Sequence, residues 1–166
     1  MATGTIDFDA HVAADDEHRF VDLGDQFHSS VVRKPCVVLQ RVTSNDQPRR
    51  LVAAPVPTQL FASYGGFVGE NHVVIIEPQG DVPAVTPKQL ALLLSTEPMD
   101  RYFRCISGAT NVSAFELSQL KLPDPRLLKQ YLASGIGMEA AVRRAFGIAD
   151  KFMVNSVDLP KFARSA

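Results

Sequence analysis

The sequence predicts an α+β fold: a twisted mixed or mainly antiparallel sheet over about residues 35–77, followed by a helical half. Three observations predict it. β-branched apolar runs dominate the stretch after Pro35, helical spacing of leucines and aromatics takes over from Thr86, and strands precede helices throughout. That segregation favours α+β over a doubly wound sheet, in which the two would alternate. At 166 residues the chain can bury one real core, and two would be crowded.

Cys36-Val37-Val38-Leu39-Gln40-Arg41-Val42-Thr43 reads as a buried strand entered from Pro35. Ser44-Asn45-Asp46-Gln47-Pro48 is a polar turn, and Arg49 to Val56 a second strand pairing antiparallel with the first. Pro55 and Pro57 close it, because proline cannot donate to a ladder. The glycines of Tyr64-Gly65-Gly66-Phe67-Val68-Gly69 mark a turn between strands, and Asn71 to Ile76 is the third strand. Thr86, with Pro87 and Gln89 behind it, spells a capping box that opens a helix carrying Leu90, Leu93 and Leu94. Pro98 starts another, with Met99, Tyr102, Phe103 and Ile106 as its apolar stripe and Gly108 as its end. Phe115 to Leu120 reads as a short helix or turn. Asp124-Pro125 and Gly137-Met138 open two amphipathic helices running to about Ser134 and Phe146.

Charge divides the chain. Residues 1–32 hold seven carboxylates against one arginine, whereas residues 33–166 hold 16 Lys/Arg against 11 Asp/Glu. The expected organisation is an acidic lead-in (1–30), a folded body (31–147) and a C-terminal tail (148–166). A mildly basic body behind an acidic leader is able to attract a polyanion, although ordinary solvated charge reads the same way. No apolar run approaches 18 residues, so no membrane span is expected, and the N-terminus lacks the pattern of a secretory signal. Cys36 and Cys105 are expected to be reduced, buried small hydrophobes of a cytoplasmic protein.

Catalytic constellations are weak. The glycine-rich turn lacks the GxGxxG pattern and a following helix, both of which a dinucleotide cradle needs. His11, His18 and His28 lie near Asp15, Asp16 and Glu17, but at no spacing typical of a metal site, so no metal is expected. Glu70, Glu77 and Asp81 suggest a nuclease-type carboxylate set without the lysine it would want. Basic residues make the better case. Arg33 and Lys34 precede the first strand, Arg41 lies within it, and Arg49 and Arg50 start the next. The most informative stretch is Arg101 to Pro125, where Arg101 and Arg104 approach the polar loop Ser107-Gly108-Ala109-Thr110-Asn111. Phosphates call for Arg, Lys, hydroxyls and backbone N–H groups; base edges call for Arg, Asn or Gln with two-pronged geometry.

Three motifs stand in order here: Gln40-Arg41-x-Thr43, then Glu70-Asn71-His72, then Ser107-Gly108 running through Val112-Ser113 and Leu117-x-x-Leu120 into Leu122-Pro123. From Val31 to Pro125 the chain resembles the C-terminal target-recognition region of bacterial restriction-modification DNA adenine-N6 methyltransferases of the gamma type. Such enzymes also carry a glycine turn for S-adenosylmethionine and an Asn-Pro-Pro-Tyr-type catalytic tetrapeptide, and this sequence has neither. The resemblance therefore implies a recognition module without catalysis or cofactor of its own, as a fragment or a piece of a split enzyme. S-adenosylmethionine would sit on a separate methylase domain, and double-stranded DNA and that domain would be the partners. The implied contact set is Arg41, Arg49, Arg50, Arg101, Arg104, Ser107, Thr110 and Asn111, with Arg33, Lys34, Asn71 and His72 as contacts or structural residues. The competing readings are a helical module docking on a methylase or restriction complex through residues 126–132 and 138–146, and a small nuclease.

Overall fold

The structure, a computed structural model, describes residues 30–80 and 83–148. The acidic lead-in, the histidines at 11, 18 and 28, Asp81 and the tail beyond Ile148 lie outside the described residues. What is described is α+β. Three strands, β1 (Val37–Gln40), β2 (Ala53–Pro55) and β3 (Val73–Ile76), form an antiparallel sheet in the order β2-β1-β3. Helix α1 (Thr58–Tyr64) interrupts them, and α2 (Pro87–Leu94), α3 (Glu97–Ile106), α4 (Ala114–Ser118), α5 (Pro125–Ala133) and α6 (Met138–Ala145) follow.

The central strand explains the layers. Leu39 faces β2 at Ala53 and β3 at Val74, while Val38 faces Ala54 and Ile75. Because side chains alternate, Leu39, Ala53, Val74 and Ile76 turn towards the helical half, where Leu51, Leu93, Leu94, Met99, Phe103, Val112 and Leu128 complete the main core. On the reverse face Cys36, Val38, Val56 and Val32 meet Leu60, Phe61, Phe67 and Ile75 in a smaller cluster. A strand buried on both sides has no polar alternation, which is why residues 36–39 read as a continuous apolar run.

The sequence left α1 unanticipated. Its N-cap, Pro57, makes no side-chain hydrogen bond, and none of its residues is fully buried. Leu60 and Phe61 hold it against the small cluster, and Gly65, at φ 72°, ends it with its N–H on the Phe61 carbonyl. The next residue explains the glycine pair. A Cβ on Gly66 would lie 2.5 Å from the Val32 carbonyl oxygen, so only glycine lets Phe67 pair with Val32 across the reverse face. The glycines thus form a helix end and a close backbone crossing rather than a plain turn between strands.

The later helices begin where their caps predict. Thr86 and Gln89 close a reciprocal capping box on α2, Ser113 and Glu116 do so on α4, and Asp124 accepts the N–H groups of Arg126 and Leu127 on α5. In α3 the expected stripe is seated: Met99 and Phe103 are fully buried, and Tyr102 and Ile106 pack against the same core. Cys36 is buried as expected, but Cys105 is exposed. It follows Arg104 on the side of α3 turned away from Met99 and Phe103, where burial of one stripe leaves its neighbours in solvent.

One polar group joins helix to sheet. Asp100, buried on α3, accepts the backbone N–H groups of Arg50 and Leu51 through Oδ1 at 2.6 and 3.0 Å, and the Arg104 Nε–H through Oδ2 at 2.7 Å. Asp100→Ala leaves two buried amides without an acceptor and should cost about 3–5 kcal/mol, as breaking a buried pair does. Asp100→Asn retains one acceptor and should cost roughly 1–2 kcal/mol. Urea unfolding at constant m-value measures both.

Candidate nucleic-acid interface

The ladder between β1 and β3 does not stop at Gln40. Arg41 donates its backbone N–H to the His72 carbonyl at 2.8 Å, and the Arg41 carbonyl then accepts the Val112 N–H at 2.8 Å. Val42 forms an antiparallel bridge with Asn111. The buried Thr43 hydroxyl donates to the Thr110 carbonyl. Three segments remote in sequence, 40–43, 70–72 and 110–112, therefore meet at one end of the sheet. Hydrogen bonds fix their backbones while Arg41, Asn71, His72 and Asn111 stay exposed and Thr110 is half-exposed.

Arg41 reaches across this edge, its Nη1 donating to the Asn71 carbonyl at 3.3 Å. His72 Nδ1 lies 2.5 Å from Glu70 Oε2 with both side chains in solvent. That contact, first as a side-chain hydrogen bond, holds the Glu70 carboxyl below the ordinary glutamate range. Guanidinium, carboxamide, imidazole and hydroxyl groups thus line one rim, the set that base edges and phosphate oxygens bind.

The other residues named from sequence lie differently. Arg49 is exposed beside the turn at 44–48, at the same sheet end, because β2 runs antiparallel to β1. Arg50 is 7% exposed; its Nη2 donates to Asn45 Oδ1 at 3.0 Å, while Nε and Nη1 have no partner among the described residues. A buried N–H without an acceptor costs about 1–3 kcal/mol, so this guanidinium is unusual. Arg101 and Arg104 do not share an open basic face. Each pairs with the carboxylate four residues earlier, Arg101 with Glu97 at 2.6 Å and Arg104 with Asp100 at 2.7 Å. Glu97 also meets Arg143 of α6, which reaches Glu139 at 3.2 Å, so Arg101 belongs to a network joining α3 and α6. Arg33 and Lys34 are exposed ahead of Cys36, at the opposite end of β1. No group of three His, Cys, Asp or Glu able to hold a metal occurs among the described residues.

Ser107 is buried at 3% exposure; its hydroxyl accepts the Ala109 N–H at 3.2 Å and contacts Glu116. The structure thus assigns Ser107 to the hinge between α3 and α4, under the rim rather than on it. Sequence reasoning also passed over Phe115, which is 76% exposed one turn beyond Asn111. It opens the stretch read as a short helix or turn, and the capping box at Ser113 could have fixed its direction. Cavities of about 110 and 370 Å³ lie elsewhere, under Pro83 to Leu90 and beside Tyr102 and Phe146, lined mainly by apolar groups.

Hydrogen bonds from Ser107 and then Ser113 lower the Glu116 pKa from its ordinary value. A folded-state pKa below the unfolded one gives stability that is present above the ordinary carboxylate range and is lost as pH falls through the lowered value. Ser107→Ala should move the Glu116 midpoint up towards that ordinary range, as read by carboxyl NMR titration, and loosen α4 at neutral pH, with the difference from the wild type disappearing as pH falls below the lowered value.

The chain is 33% identical over 93 residues to the type II methyltransferase M.BsuBI of Bacillus subtilis, a match covering 55% of this chain and 18% of that enzyme. No known family profile and no solved structure matches the chain. No helix among the described residues is long and apolar enough to cross a membrane. The chain is distantly similar to part of a type II methyltransferase, spanning less than a fifth of that relative's length.

Proposed function

We propose that this chain is a DNA sequence-recognition module of an adenine-N6 DNA methyltransferase in a restriction-modification system. It grips duplex DNA while a separate methylase domain transfers the methyl group from S-adenosylmethionine. The observation that carries this reading is the convergence of Arg41, Asn71, His72, Thr110 and Asn111 on one hydrogen-bonded rim. The partial likeness to a type II methyltransferase supports it.

On this reading the rim divides its labour. Arg41 and Asn111 offer two-pronged donors and acceptors for base edges. Thr110 and Arg49 offer donors to phosphates, which set register and most of the salt dependence, while the Nδ1 of His72 is held by Glu70. Arg101 serves α3 and α6 rather than DNA. S-adenosylmethionine belongs to the methylase domain, and this chain supplies no residue to the methyl transfer.

Fluorescence anisotropy of a labelled duplex library at two salt concentrations tests the reading, with the chain alone and with its methylase partner. Binding should weaken steeply with salt. Arg49→Ala should lower affinity for every duplex and reduce the log–log slope by about one. Asn111→Ala should cost about 1–3 kcal/mol on the preferred sequence and little on others. No duplex binding in either setting removes the reading. Retention of the methylase without DNA contact would favour the docking module, and magnesium-dependent cleavage the nuclease.

A further inference from the structure

We propose that Arg50 and Arg104 form a stowed oxyanion site beneath the 44–48 turn, which opens when a phosphate replaces that turn's neutral acceptors. The inference rests on the DNA reading for the source of the phosphate, a backbone phosphodiester. It rests on the described geometry for the site itself.

The turn is tied to itself by Ser44 N–H on Gln47 Oε1 at 3.1 Å and Gln47 N–H on the Ser44 carbonyl at 3.3 Å. Two guanidinium groups hold it to the body. Arg50 Nη2 donates to Asn45 Oδ1 at 3.0 Å, and Arg104 Nη2 donates to the Pro48 carbonyl at 3.4 Å, the far limit of a hydrogen bond. Both acceptors are uncharged, and both lie on exposed residues.

The two arginines are not equally committed. Arg104 is anchored below by Asp100, whose remaining oxygen is taken by two backbone amides. Asp100 is therefore satisfied without the Arg50 side chain. Arg50 keeps Nε and Nη1 without an acceptor, and no carboxylate among the described residues pairs with it. Nη2, now held by Asn45, belongs to both two-pronged edges of the planar guanidinium, one with Nε and one with Nη1, so a phosphate that replaces Asn45 meets a matched donor pair, and charge-assisted bonds are about twice as strong as those to a neutral amide. An arriving phosphate can thus outcompete Asn45. Asp46 sits on the same exposed turn. Arg49, exposed next in sequence, supplies a surface charge at the entrance.

Thermal unfolding with inorganic pyrophosphate and duplex anisotropy, both on the full chain, test the site. Pyrophosphate should raise the melting temperature of the wild type but not of Arg50→Met. Arg50→Met should itself melt no lower than wild type, because it removes unsatisfied donors, yet bind duplex severalfold more weakly with a log–log slope smaller by about one. Asn45→Ala, which unfastens the turn, should bind pyrophosphate severalfold more tightly. A pyrophosphate shift that survives in Arg50→Met, or an unchanged shift in Asn45→Ala, overturns the site. Should Arg50→Met fail to fold, the Asn45→Ala comparison decides alone. Duplex binding with no Arg50-dependent pyrophosphate effect removes this site and leaves the DNA reading standing. An Arg50-dependent pyrophosphate effect without duplex binding retains the oxyanion site and removes the DNA reading.

Discussion

A single buried carboxylate ties α3 to the segment that enters β2. Asp100 is buried and spends its oxygens on the backbone of residues 50 and 51 and on Arg104. The segment entering β2 would otherwise bring two amides into the interior without acceptors, since the ladder to β1 is not yet in place there. An ion buried at this depth is tolerated only with all its partners present. With them in place α3 is tied to the segment that enters β2, Met99 and Phe103 enter the core beside Leu39 and Leu51, and the chain leaving α3 returns to the end of β1.

That return path builds the rim. Residues 111 and 112 take over pairing with Arg41 and Val42 where β3 begins, so the sheet edge ends in loops tied to one another. A rigid backbone with exposed polar tips suits reading, because side chains held in place lose little entropy on contact. The neighbouring patch at Arg50 follows the opposite logic. Its donors are enclosed and incompletely used, which makes it a store of unsatisfied hydrogen bonding rather than a ready surface.

Local chemistry made most elements legible. The capping boxes at Thr86 and Ser113, the Asp-Pro and Gly-Met openings, the β-branched run at 36–39 and the stripe Met99, Tyr102, Phe103 and Ile106 each depend on neighbours a few residues away, and each was readable. Helix α1 was not, because packing of Leu60 and Phe61 holds it in place of a cap or a strong propensity. The candidate site was legible by residue type. Arg41, Asn71, His72, Thr110 and Asn111 come together, whereas Arg101 and Arg104 are engaged by Glu97 and Asp100 at i−4, a spacing identical to that of solvated surface pairs. Nothing local distinguishes Asp100 from Glu97; only the partner at residue 50, half the fold away, does. For the same reason the burial of Ser107 required the assembled structure, whereas the exposure of Cys105 follows from its place off the α3 stripe.

The most direct test of the central claim is amide NMR shift mapping of the 15N-labelled chain as duplex DNA is added at low salt. The account predicts that the largest changes cluster on Arg41, Asn71, His72, Thr110 and Asn111, with smaller ones at 45–50 and little along α5 and α6. Changes confined to α5 and α6, or spread evenly over the molecule, would contradict it.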